Sequence, residues 1–476
     1  MTRTTAVPLT LLLSILAAVA RGDEASDRVD ASLASWDRRD SPGAAVTVVK
    51  DGRIVYAKGV GMADLEHDVP ITPRTPFFIA SVTKQFTAYA ITRLAAEGRL
   101  SLDDDVRRHL PELADFGREV TVRHLLHHTS GLRDYGSLLV LAGGQDGDMV
   151  RRDEVFRLLF GQRELNFDPG AEHEYCNSNY VLLAKIVERT SGLDYGNWLA
   201  AHVFGPLGMT SSGLGADPGR IIKGRAFSYG PRDGGRGYRA LRWPSTTYGE
   251  GNLYASAEDL ARWFRFLGRA RSGDRDGDIL NQMERPGRLK DGTPIPYALG
   301  LVAREHGGER VVGHSGAWEG YRAYAGLFPD RDLGVVVLSN DESFDAEGTA
   351  MKVADAYLGR RASPPGLARP AEAATAPRPE SHGPITADPS AYRGRYTSAE
   401  LGMTYEVVMH RASIAIRIPR LADLPLEPAG ADHFAGYPLE GARADYQFDR
   451  GQSGRVRGLR VSFLGVRNLR FDRHVP

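Results

Sequence analysis

Ala45-Val46-Thr47-Val48-Val49, then Asp51-Gly52, then Ile54-Val55-Tyr56-Ala57 reads as two β-branched runs joined by a tight turn. Asp-Gly tolerates the left-handed conformations that a two-residue connection demands, so the stretch is predicted to be an antiparallel hairpin. A second hairpin pattern lies far downstream: Tyr321 to Leu327, a turn at Pro329-Asp330-Arg331-Asp332, and Leu333 to Leu338. Between the two the pattern is mostly helical, with Thr83 to Glu97 stopped by Gly98, Asn179 to Thr190 stopped by Gly192, and Ala257 to Leu267 stopped by Gly268. Strands at both ends and helices between them predict one antiparallel sheet closed by the two ends of the segment, with a helical insertion. This is an α/β (α+β) class.

Outward from that segment the organisation changes twice. Between Arg360 and Ser390, Pro364, Pro365, Pro370, Pro377, Pro379, Pro384 and Pro389 leave no room for a helix or a central strand. Residues 361–389 are therefore expected to be a linker between a large segment, 21–360, and a tail, 390–476. In the tail, Tyr405 to Met409, Ser413 to Ile418, Tyr446 to Phe448, Leu459 to Phe463 and Leu469 to Phe471 alternate apolar and polar residues. A period of two with Gly-rich turns predicts a small all-β barrel or meander. At the other end, Arg3, the apolar run Val7 to Ala20 and the small-residue pattern Ala18-Val19-Ala20 form an expected export signal over residues 1–20. That implies a periplasmic or secreted protein with no membrane span once the signal is cleaved.

Of 476 residues, 60 are Lys or Arg and 60 are Asp or Glu. An even balance offers no excess positive charge for nucleic acid or an anionic membrane, so neither is an expected partner. One cysteine, Cys176, cannot form an internal disulfide, and stability must come from core burial. The positive charge is nearly all arginine; the lysines are Lys50, Lys58, Lys84, Lys185, Lys223, Lys290 and Lys352. A lysine inside a motif is correspondingly informative.

One of them is. Ser81-Val82-Thr83-Lys84 opens an apolar helix and places a hydroxyl and an amine three residues apart, on one helical face. A desolvated, neutral amine there could take the serine proton, and the helix N-terminus favours a developing oxyanion. By spacing alone the pair reads more readily as a serine helix cap with a surface lysine. It has company: Tyr175-Cys176-Asn177 at the start of a helix supplies a phenol and a carboxamide, and Gly313-His314-Ser315-Gly316-Ala317 runs off a strand where glycine lets a substrate approach.

These three elements resemble the active-site motifs of the penicillin-recognising serine hydrolases, the branch of class C β-lactamases, D-Ala-D-Ala carboxypeptidases and D-aminopeptidases. His124 to Leu132, Pro206-Leu207-Gly208-Met209 and Gly251 to Leu260 look like the same branch. The resemblance implies a β-lactamase/transpeptidase-like domain, with a lipocalin-like barrel as the tail. It implies Ser81 as nucleophile, Lys84 and Tyr175 as the proton-transfer pair, Asn177 as holder of the substrate amide, and the backbone amides of Ser81 and Ala317 as an oxyanion hole. His314 and Gly316 would line the substrate. The substrate would be a small molecule or short peptide: a D-amino-acid peptide, a β-lactam or an ester. No cofactor and no metal is implied.

Two positions depart from the pattern. His314 stands where β-lactamases and carboxypeptidases commonly carry a lysine, and an imidazole is only fractionally charged at pH 7. This leans toward peptidase or esterase members. Cys176 stands where serine is usual and is expected to pack inertly. Competing readings are weaker. Ser315 lacks the second glycine of a nucleophile elbow and the parallel sheet that goes with it. His124, His127 and His128 have no further ligands to complete a metal site. A catalytically weak penicillin-binding-type protein that senses cell-wall fragments is the alternative from another class, although Ser81, Lys84 and Tyr175 are all retained.

Overall fold

The computed structural model describes residues 24–360 and 388–474, apart from 146, 233, 243, 270–272 and 274. The expected export signal and nearly all of the expected linker lie outside the described residues.

The first hairpin forms as the Asp51-Gly52 turn demands, between strands Ala44–Lys50 and Arg53–Val60. The second joins Tyr321–Phe328 to Leu333–Ser339. The two hairpins pair with each other, from Ala44 opposite Ser339 to Lys50 opposite Leu333. Val302–His306 and Glu309–Trp318 complete an antiparallel sheet of six strands. The paired central strands are buried on both faces. Val46, Val48, Val335 and Val337 pack with Ala25, Val29, Leu33 and the helix Ala346–Tyr357. Ala45, Val336 and Leu338 point the other way, into the main core. Each buried valine contributes about 1.5–3 kcal/mol over an exposed one. A one-residue slip would exchange the two sets, which pins the register.

The helices sit near their expected places, with informative differences. Ser81 lies on a single 3-10 turn, Ala80–Thr83, that runs into the helix Lys84–Ala96. The second expected helix spans Asn177–Ser191 and so starts at Asn177 itself. The helix that begins at Ala257 continues through Gly268 to Arg269. Gly268 is not its stop: a β-carbon there would lie 2.9 Å from Asp332 Oδ1, so the residue lets the helix approach the turn of the second hairpin.

The tail is a closed barrel of eight antiparallel strands, shut by Tyr396 opposite Arg473 and Thr397 opposite Asp472. Three of its strands, Gly394–Ser398, Leu424–Gly430 and His433–Leu439, were not expected from the sequence. Pro425 and Pro428 disguise the second of them, and the pairing shifts register just after Pro428. Tyr396, Tyr405, Phe434, Tyr446, Phe448 and Phe471 fill the interior.

One buried cluster runs from the main core into this barrel. The Tyr405 hydroxyl donates to Leu141 O at 2.6 Å, and Arg157 donates to Leu401 O at 2.9 Å. Arg133, wholly buried, donates to Glu400 at 2.6 Å and to Arg467 O at 3.0 Å. Its neighbour Asp134 donates its amide to Gly465 O at 3.0 Å. Among the described residues no helix is long and apolar enough to cross a membrane.

Candidate active site

Ser81 is fixed by a crowded crossing. The strand Glu309–Trp318 passes so close beneath it that a β-carbon on Gly316 would overlap Ile79 O and lie 3.2 Å from Ser81 N. Glycine alone permits that approach, and it brings the backbone at Gly316-Ala317 beside the amide of Ser81. Ala80, just before the serine, has φ +45°. A left-handed alanine costs about 1–2 kcal/mol, which the surrounding packing must hold in place.

Lys84 is fully buried, one helical turn on. Its Nζ lies 3.0 Å from Ser81 Oγ, 2.9 Å from Asn177 Oδ1 and 2.8 Å from Glu250 O. Desolvation pulls its pKa down to about 7, against opposing pulls from Glu250 and Asp134. A neutral amine has two hydrogens and one lone pair. Glu250 O accepts only, and Asn177 Oδ1 accepts only, so the two hydrogens belong to them. The lone pair is left for the serine hydroxyl, the arrangement of a general base.

Tyr175 donates its hydroxyl to Ser81 Oγ at 3.0 Å. Partial burial raises its pKa, although the ring stays 40% exposed to the cleft, so the phenol remains a donor at neutral pH. Its ring packs on His128 at 4.4 Å between centroids. His128 Nδ1 in turn accepts the Cys176 amide at 3.1 Å. Cys176 is buried, donates to Leu132 O at 3.3 Å, and its thiol pKa is pushed up by burial, all in keeping with an inert packing role. Asn177 donates its amide to Asp134 Oδ2 at 2.7 Å, which orients the start of its helix.

His314 sits differently from a substrate-facing cation. It is 5% exposed, with Nδ1 2.6 Å from Ser315 O and Nε2 3.1 Å from the Tyr297 hydroxyl. The carbonyl only accepts, so Nδ1 carries the proton and Nε2 accepts from Tyr297. Burial, helped by the nearby Lys84, lowers its pKa to about 3. The third motif thus presents a neutral imidazole with both nitrogens engaged. Ser315 lies on an antiparallel strand, without the strand-to-helix turn of a nucleophile elbow.

Several residues at the site were not singled out from the sequence. Asp134 and Tyr135 follow the His124 to Leu132 stretch directly. Glu250 lies in a Gly-flanked loop, where Gly249 adopts φ +103° and presses against Tyr180 O, carrying the Glu250 backbone to Lys84. A single acidic residue between two glycines gives no periodic signal. Of His124, His127 and His128, only His128 packs against Tyr175.

The beta-lactamase family model matches residues 26–358. The D-aminopeptidase of Brucella canis is 33% identical over 322 residues, which is 67% of this chain and 60% of that protein. This chain thus spans 60% of the length of that relative. The D-aminopeptidase of Gluconobacter oxydans is 31% identical over 386 residues, 81% of this chain and 69% of that one. Among solved structures, the octameric penicillin-binding protein homologue from Pyrococcus abyssi aligns with TM-score 0.61 at 27% identity, covering 95% of this chain and 99% of its own.

Proposed function

The chain belongs to the beta-lactamase family, and on that premise we propose that it is a serine hydrolase that releases an amino-terminal D-residue from an amide or short peptide through an acyl-enzyme on Ser81. The observation that carries this reading is the environment of Lys84, a buried amine with a pKa near 7 and three oxygen neighbours, one of them the serine hydroxyl.

Lys84 takes the Ser81 proton as Oγ attacks the scissile carbonyl. The amides of Ser81 and Ala317 receive the oxyanion, and Tyr175 passes a proton to the departing amine. Water, activated by the same pair, then releases the acyl group and restores the free serine. The choice of an amino-terminal D-residue over a carboxy-terminal one has two supports. The relatives in Brucella and Gluconobacter are D-aminopeptidases. The neutral, engaged His314 offers no charge to a substrate carboxylate.

The test compares the p-nitroanilides of D-alanine and L-alanine with an N-acylated D-Ala-D-Ala peptide. Preferential cleavage of the D-alanine anilide, with an acyl adduct on Ser81 seen by intact mass, is the expected result. Efficient release of the carboxy-terminal D-alanine would overturn the amino-terminal assignment.

A further inference from the structure

Glu250 does more at this site than lend its backbone carbonyl to Lys84. Its side chain is buried, and one oxygen, Oε1, is saturated by two hydroxyl donors: Thr247 at 2.6 Å and Tyr135 at 2.9 Å. The other, Oε2, has no hydrogen-bond partner among the described residues, although it too is buried. A carboxyl oxygen taken out of water and left empty is costly, and burial accordingly raises the pKa of the group. Such an atom is retained where something else comes to fill it.

The place it occupies identifies the visitor. Glu250 lines a recess of about 80 Å³ together with Ser81, Asn177, Tyr135, Phe78 and Ala317. The nucleophile and part of the oxyanion hole are therefore walls of the same cavity. In an amino-acid amide the amino group hangs on the carbon next to the scissile carbonyl, so it must lie within this small volume when Ser81 attacks. The other carboxylates nearby are spoken for. Asp134 accepts from the amides of Asn177 at 2.7 Å and Gly136 at 2.9 Å. Glu174 is paired with Arg467 and Asn166. Glu250 is the acid at the nucleophile with an oxygen to spare.

We propose that Glu250 Oε2 receives the protonated amino terminus of the substrate, so that the pocket selects amino-acid amides and peptides with an unblocked amine. This rests on the reading of Ser81 as the nucleophile of an amide hydrolase and goes beyond it by naming the group that sets the exopeptidase character. A cation on Oε2 completes the buried carboxylate and gains a charge-assisted hydrogen bond in a dry site. An acylated amine brings no charge to that oxygen.

The experiment uses D-alanine p-nitroanilide and its N-acetyl counterpart with the full-length protein and Glu250→Gln, which keeps the acceptor for Thr247 and Tyr135 and removes the charge. In the wild type the ratio of kcat/KM, free amine over acetylated, is expected to be large. It should fall as pH rises through the α-amino range, roughly 7.7–8.0. Lys84, Asp134, Tyr135, Tyr175 and Tyr195 surround Glu250, but their titration acts on both substrates and leaves the ratio unmoved. In Glu250→Gln the ratio is expected to drop about 10- to 100-fold, the scale of a hydrogen bond to a charged group, and to lose that pH dependence.

A ratio within threefold of wild type in the variant would overturn the proposal. If the variant does not fold, the wild-type ratio decides alone: a value near one, flat with pH, overturns the anchor. A wild type that forms a Ser81 adduct with a p-nitrophenyl ester yet cleaves neither anilide removes the amidase reading itself, and the anchor with it.

Discussion

The barrel and the beta-lactamase-family part bury their polar groups by different standards. Inside the barrel, rings of Tyr392, Phe434 and Phe448 pack edge to face, and the Tyr396 hydroxyl donates to Tyr392 O at 2.6 Å. Among the described residues its one buried side-chain atom without a partner is the Tyr446 hydroxyl. In the other part such atoms include Thr83 Oγ1 and Gln85 Nε2, which flank Lys84 in sequence, His128 Nε2 behind Tyr175, and Glu250 Oε2. A left-handed alanine and a buried amine lie among them. A left-handed alanine, a buried amine and unmet bonding capacity thus coincide beside Ser81, whereas the left-handed Arg411, Arg420, Asp432 and Leu464 of the barrel sit in its turns.

That contrast can be pressed from the catalytic side first. Ser81→Ala is expected to lower turnover of a p-nitrophenyl ester by at least ~10⁴-fold and to abolish the acyl adduct, with the thermal midpoint little changed. Residual turnover above one percent of wild type would show the strained turn to be idle. Lys84→Met should cost about 10³-fold. In the wild type, kcat/KM is expected to rise with pH through about 7, because the active form of a lysine with its pKa lowered is the neutral one, populated above that value. The variant should lose that limb. An unaltered profile would assign the base elsewhere.

The barrel side predicts effects on stability instead. Glu400→Ala removes the nearer carboxylate of the wholly buried Arg133 guanidinium, leaving Glu164 at 3.8 Å. It should destabilise the protein by about 3–5 kcal/mol, read by denaturant titration. A loss under 1 kcal/mol would make the junction ornamental. Smallest is Arg467→Ala, which removes pairs to Glu172 and Glu174. These are partly exposed, so the expected cost is under about 1 kcal/mol. Because Glu174 adjoins Tyr175, a rise of two- to threefold in KM should accompany it, and kcat should stay unchanged.

Much of the sheet was legible because β-branched runs flank Asp51-Gly52 and so announce a hairpin. Ser81, Lys84 and Tyr175 could be singled out because they stand in short, local motifs, and the structure places Lys84 Nζ and the Tyr175 hydroxyl each 3.0 Å from Ser81 Oγ. The position of His314 was legible and its environment was not. Its partner Tyr297 arrives from a separate loop, and no spacing announces that a histidine will be buried. Glu250 and the Arg133-Asp134 contacts with the barrel depend on residues far apart in the chain, which no local pattern encodes. Pro425 and Pro428 show the converse, local signals against a strand overruled by closure of the barrel.

The bond from the Asp134 amide to Gly465 O also orders events in time. The residues that meet at this junction emerge far apart during synthesis: Arg467 follows its partner Asn166 by 301 residues. At 5–20 residues per second that interval is roughly 15–60 s. For nearly all of it Ser81, Lys84 and Tyr175 are already made, while the hairpin that braces Asp134 and Glu174 is not. The contacts that hold Asp134 and Asn166 against the barrel are therefore among the last for which the chain supplies both partners.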